Sequence, residues 1–164
     1  MVDPKQRAAL IRHLEGSLAT NSDLDAQRDL KLDVAQEELV SMIGDCSVSR
    51  LVELARQMFA RLIDTGVDDA SSARLKFKLR RRAAVEGTKY ERIPFHRDYS
   101  HVVINVALND DFDGARLIYA IGDELFLPKR AAGDATGHDC RLVHGVSRLA
   151  SGVRYNLFIL FESI

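Results

Sequence analysis

The chain has 164 residues with 46% apolar content, ample for one domain around a single core and short for two. Its 23 basic and 24 acidic residues leave a formal net charge of −1, so no whole-protein field gathers nucleic acid or an anionic membrane, and neither is an expected partner. Cys46 and Cys140 are the only cysteines and lie far apart, which argues against a disulfide framework or a zinc knuckle.

The N-terminal MVDPKQRAALIRHLEG has neither the apolar run nor the small-residue cleavage site of a signal peptide. No later window approaches the roughly 18 apolar residues of a membrane span, and a soluble, cytoplasmic protein is the expectation. KQRAALIRHLEGSL, VAQEELVSMI and VSRLVELARQMFARLIDTG repeat apolar residues at three- and four-residue intervals and predict three helices. The third is the clearest, with Leu51, Leu54, Ala55, Met58 and Leu62 on one stripe, Ser47 or Ser49 as its cap and Gly66 to end it. TNSDLDAQRDLKLD, between the first two, reads as a loop, and DDASSA as a hinge into a different texture.

Beyond that hinge the pattern is β. ARLKFKLRRRAAV alternates, with Leu75, Phe77 and Leu79 facing one way and Lys76, Lys78 and Arg80 the other; its basic run reads as a solvated face or as a guide for an anionic or peptide substrate. YERIPFHRD, HVVINVALN, ARLIYAIG, DELFLPK, CRLVHGVSRL and VRYNLFILFES follow as strands, divided by loops at NDDFDG, AAGDATG and ASG. Helices first and antiparallel strands second predict one α+β domain, 1–164, with residues 1–70 as helical support and 71–164 as a sandwich or jelly-roll core.

His96 and Asp98 are two apart, so on a strand they point to one side while Arg97 points away. An imidazole nitrogen and a carboxylate oxygen can then reach one ion, and a second histidine comes from His101, His138 or His144. His144 is the best placed, in CRLVHGVSRL; His138 is its rival, or a hydrogen-bonding partner behind the ligands. Two histidines and a carboxylate leave three positions of an octahedron open, which suits non-haem Fe(II) with a chelating co-substrate and oxygen. Arg154, ten residues after His144, can grip the far carboxylate of that co-substrate. Asn105 and Asn156 are polar residues in apolar strands and candidate co-substrate contacts: Asn156 borders the pocket on the Arg154 face, and Asn105 either contacts co-substrate or substrate or hydrogen-bonds in the core.

His96-x-Asp98, LNDDFDG from Leu108 to Gly114, His144 followed by glycine, and GVRY from Gly152 to Tyr155 together resemble the 2-oxoglutarate/Fe(II)-dependent dioxygenases, in the prolyl-4-hydroxylase-like branch. The resemblance covers about positions 74 to 162. It implies a double-stranded β-helix, a cupin-like jelly-roll with helices packed on one sheet. It further implies Fe(II) held by His96, Asp98 and His144, with Arg154 on the 5-carboxylate of 2-oxoglutarate. Hydroxylation of an unactivated C–H bond of an amino acid, a peptide-borne residue or a small metabolite would follow, with O2 consumed and succinate and CO2 as co-products. Halogenating relatives usually carry a small residue in place of the aspartate, so Asp98 favours hydroxylation.

Two departures stand out. Relatives often have Gly-Gly where this chain has Gly114-Ala115, and alanine there costs little unless positive φ is required. Their aromatic segment ahead of H-x-D is missing, and Tyr90 is the residue available to replace it. The alternatives are a non-catalytic binding module on the same scaffold and a cupin-like metal enzyme that uses no 2-oxoglutarate.

Overall fold

The structure, a computed structural model, describes residues 2–23, 25–64, 73–84 and 92–163. Gly66, most of the expected hinge and Tyr90 lie outside them. In chain order the elements are α1 (Pro4–Ala19), β1 (Asp29–Val34), α2 (Gln36–Ile43), α3 (Asp45–Ile63), β2 (Ala73–Ala83), β3 (Ile93–His96), β4 (Val102–Ala107), β5 (Asp113–Gly114), β6 (Leu117–Ile121), β7 (Glu124–Phe126), β8 (Ala135–Asp139), β9 (Val143–Val146), β10 (Leu149–Ser151) and β11 (Val153–Ser163).

The three helices fall where the periodicity puts them. α1 starts at a capping box, Asp3 accepting from the Gln6 backbone while the Gln6 side chain accepts from that of Asp3, and Pro4 fixes its first turn. Leu10, Leu14 and Leu18, one turn apart, are its buried stripe. On α3, Leu51, Ala55 and Leu62 are buried, with Leu54 and Met58 packed beside them. The cap of α3 differs from expectation: Gly44 stands at the N-cap, and Ser47 lies inside the first turn, where its hydroxyl accepts from Gln6 Nε2 at 2.8 Å.

The segment read as a loop after α1 contains β1, a strand. Leu30 and Val34 turn inward and Lys31 and Asp33 outward, and Asp29 to Val34 pair antiparallel with Arg82 to Phe77 of β2. Strand pairing supplies the order that local propensity lacks. The supposed loop at AAGDATG likewise runs into β8, which pairs with β4.

Two antiparallel sheets result, a five-stranded one in the order β1-β2-β11-β4-β8 and a four-stranded one in the order β3-β9-β6-β7, with β10 and β5 paired separately. The helices pack on the larger sheet, and the main core lies between them: Phe77, Leu79, Ile104, Leu157 and Ile159 from the strands meet Leu14, Leu39 and Leu51 from the helices. The opposite face of that sheet carries Lys78, Arg80, Arg82, Arg154 and Asn156, and these border a cavity also lined from the smaller sheet. Lys78, Arg80 and Arg82 of the basic run on β2 are therefore part of a cavity wall and not an open solvated face, while Arg81 turns to Glu15 of α1. Among the described residues no helix is long and apolar enough to cross a membrane.

Gly114 and Ala115 both have positive φ, +79° and +45°, so the condition under which alanine is costly is met. The left-handed conformation costs a non-glycine residue roughly 1–2 kcal/mol. Against that, the buried Ala115 methyl contributes about 0.8 kcal/mol, and alanine narrows the unfolded chain by about 0.4–1 kcal/mol. The terms nearly cancel, so alanine is tolerated at 115. Position 114 has no such offset, because a Cβ there would sit 2.1 Å from the Arg148 carbonyl oxygen. Gly114→Ala is expected to destabilise the fold by more than about 2 kcal/mol, read as a lower midpoint in chemical denaturation. An unchanged midpoint would contradict that backbone approach.

Candidate metal centre

β3 and β9 pair antiparallel with a register shift, which sets His96 directly opposite His144. Gly145 makes this possible: a Cβ there would come within 3.0 Å of the Ile93 carbonyl oxygen. Asp98 follows two residues after His96, just past the end of β3 and not on the strand the spacing suggests, and its carboxylate still turns to the side of His96. The nitrogens of His96 and His144 and a carboxylate oxygen of Asp98 all lie within 4.8 Å of one another. His96 Nε2 is 3.4 Å from Asp98 Oδ1, and His144 Nε2 is 3.5 Å from Asp98 Oδ2.

The chemistry of these donors fits a cation. His96 Nδ1 faces the Pro94 carbonyl at 2.8 Å and His144 Nδ1 faces that of Leu142 at 3.3 Å, contacts a neutral ring makes with Nδ1 protonated. The unprotonated Nε2 atoms then face a carboxylate, three lone-pair donors with no proton to share. Burial, then the neighbouring His138, holds the His144 pKa below the ordinary imidazole value, favouring the neutral ring that a metal needs. Burial would raise the Asp98 carboxyl, but the hydrogen bond from His138 and the nearby His144, His138 and His96 hold it below the ordinary aspartate range.

His138 arrives on β8, just after the expected AAGDATG loop. It is buried, its Nε2–H donates to Asp98 Oδ2 at 2.8 Å, and its Nδ1 lies 3.4 Å from the Tyr119 hydroxyl. A chain from Tyr119 through His138 to Asp98 thus orients the carboxylate from behind. His101 is elsewhere, its ring 5.7 Å from that of Phe59 on α3.

The metal-side cavity has a volume of about 490 Å3, and Asn105, Arg154 and Asn156 line it together with His96, Asp98 and His144. Asn156 Nδ2 donates to Asn105 Oδ1 at 2.8 Å, so each asparagine both borders the cavity and satisfies the other. Arg154 is 5% exposed, and among the described residues no carboxylate pairs with it. On the sheet it stands directly opposite Arg82, and like charges so placed repel. Burial first, then Arg130, Arg82 and Arg80, lowers its pKa to about 9. A buried guanidinium so surrounded fits the distal carboxylate of a dicarboxylic co-substrate such as 2-oxoglutarate. Tyr119 and Arg130 carry no signal in the sequence: Tyr119 lies in an ordinary strand, and Arg130 in a connection without periodicity.

No protein-family model and no curated protein matches the chain. Solved structures do. A prolyl-4-hydroxylase from Pseudomonas putida matches at a TM-score of 0.61 and 17% identity, over 98% of this chain and 86% of its own. A prolyl 4-hydroxylase from Phytophthora capsici matches at 0.63 and 15%, over 96% of this chain and 55% of its own. An oxidoreductase of the 2OG-Fe(II) oxygenase family from Burkholderia pseudomallei matches at 0.50 and 16%, over 82% of this chain and 65% of its own. The chain thus spans less than two thirds of the latter two proteins. At these identities the likeness establishes a shared fold: the chain has the fold of 2OG-Fe(II) oxygenases, prolyl 4-hydroxylases included.

Proposed function

We propose that the protein is an Fe(II)- and 2-oxoglutarate-dependent oxygenase that hydroxylates an unactivated C–H bond of an amino acid, a peptide-borne residue or a small metabolite. One observation carries the reading: His96, Asp98 and His144 converge in the same cavity that receives the buried guanidinium of Arg154, with which no carboxylate pairs among the described residues. The shared fold supports it. On this reading the two sheets are the walls of a double-stranded β-helix, and the N-terminal helices stiffen the larger one within a single domain.

His96, Asp98 and His144 would hold the iron, and Arg154 the 5-carboxylate of 2-oxoglutarate. When bound, the iron and co-substrate supply the oxidising power for the C–H bond, with O2 consumed and succinate and CO2 released. The chain's own part is positional. His138 fixes the Asp98 carboxylate, the Pro94 and Leu142 carbonyls fix which imidazole nitrogen faces the ion, and Leu117, Val146 and Leu160 give the cavity apolar wall.

Anaerobic protein given Fe(II) and 2-oxoglutarate should develop the weak visible charge-transfer band of a chelate. Admission of oxygen with extracts of candidate substrates should then yield succinate and a product heavier by one oxygen atom. A band without oxygen-dependent succinate would indicate a binding module; succinate formation undiminished in Arg154→Ala would indicate a metal enzyme with another co-substrate site.

A further inference from the structure

We propose that Arg130 is a second guanidinium for the distal carboxylate of the co-substrate, closing on it together with Arg154. This rests on the 2-oxoglutarate reading above and extends it to a residue on a different part of the chain.

Arg130 lies between β7 and β8, and its side chain folds back toward β4. Its Nη2 donates to the Asn105 carbonyl at 2.8 Å and to Asn105 Oδ1 at 3.1 Å. The same Oδ1 accepts from Asn156, which shares a strand face with Arg154 two residues away. One buried amide therefore ties the position of Arg130 to the strand that carries Arg154. The Nε of Arg130 is buried with no hydrogen-bond partner among the described residues. Among the described residues no carboxylate pairs with Arg130: the nearby Asp134 uses its Oδ2 to accept from the Ala131 backbone at 2.8 Å.

Arg130 and Arg154 line a second cavity of about 590 Å3, and Arg154 and Leu117 also line the metal-side cavity, so the two spaces meet at Arg154. Arg154 is buried and Arg130 half-buried, and although Asp134 favours the charge on Arg130, two guanidiniums facing one cavity remain a costly arrangement without a bound anion. An anion between them removes that cost. A carboxylate offers about four lone-pair sites, enough for two forked donors. A co-substrate that chelates iron at one end places its other carboxylate at Arg154, where Arg130 is already tethered. Preference for a dicarboxylate over a 2-oxo acid lacking the far carboxylate is the expected consequence.

The test uses the full chain loaded anaerobically with Fe(II), titrated with 2-oxoglutarate and separately with 2-oxobutanoate, whose chelating end is the same. Arg130→Gln should weaken 2-oxoglutarate about tenfold or more and leave 2-oxobutanoate unchanged, narrowing the preference by that factor. Arg130→Lys, which keeps the charge without the fork, should fall between, and it decides the matter should the glutamine variant fail to fold. A wild-type ratio of the two affinities in the folded variant overturns the proposal. If wild-type protein gives no band with 2-oxoglutarate, or if Arg154→Gln leaves its affinity intact, the underlying co-substrate reading fails instead.

Discussion

His144→Ala is expected to lose the visible band of the Fe(II)–2-oxoglutarate chelate, and with it oxygen-dependent succinate formation, at any practical iron concentration. His138→Ala is expected to keep the band at saturating iron while needing about 10–100 times more of it. The difference follows from where each ring points. His144 directs Nε2 at the space shared with His96 and Asp98, and its removal leaves two donors where three converge. His138 has Nε2 engaged on Asp98 at hydrogen-bonding distance, so it positions the carboxylate and does not add a donor. Iron titration of both variants, followed through the band, separates the roles. A band that survives in His144→Ala and vanishes in His138→Ala would exchange the assignment of ligand and support.

Why one histidine was legible and the other ambiguous is a matter of strand chemistry. His96 and Arg154 sit on strands whose two-residue period is plain, so the face each occupies could be read before any fold was known, whereas Asp98 lies just past the end of β3, where that period no longer applies. The alternation around Arg154 held throughout: Arg154, Asn156 and Phe158 line the cavity, while Leu157 and Ile159 go to the core under the helices. ATGHD, by contrast, is short, carries glycine and only one β-branched residue, and becomes β8 because β4 lies alongside it with free backbone groups. β1 was hidden for the same reason, since DLKLDV has the right alternation but is ordered by β2, more than forty residues away. Arg130 could not be anticipated at all. Its partner Asn105 is 25 residues distant, and nothing in a sequence marks a connection whose side chain reaches back beneath a strand.

The other large effect falls at Arg154. Arg154→Gln is expected to weaken 2-oxoglutarate about a hundredfold or more, the scale of breaking a buried charge-assisted pair, while leaving the metal-free protein as stable as wild type or more so. Without an anion beside it this guanidinium is a liability, because it is desolvated and pressed by Arg130, Arg82 and Arg80. Only an anion turns it into an asset, so on the proposed reading the residue that costs stability would be the one that recognises the co-substrate. The same physics fixes the pH dependence. Below about pH 9 the group is charged in both the folded and the unfolded chain, and its cost to the fold stands in full. From there to its ordinary value the unfolded chain binds the proton and the folded one does not, so the stability of the ligand-free wild type rises with pH. Over the same window 2-oxoglutarate must bring the proton back as it binds, and its affinity falls by up to about tenfold per pH unit. The glutamine variant should show neither slope. Thermal midpoints without ligand and anaerobic 2-oxoglutarate titrations, each at pH 7 and pH 10, test both halves. A variant that unfolds more readily than wild type at pH 7 would show that Arg154 is held by the fold for its own sake.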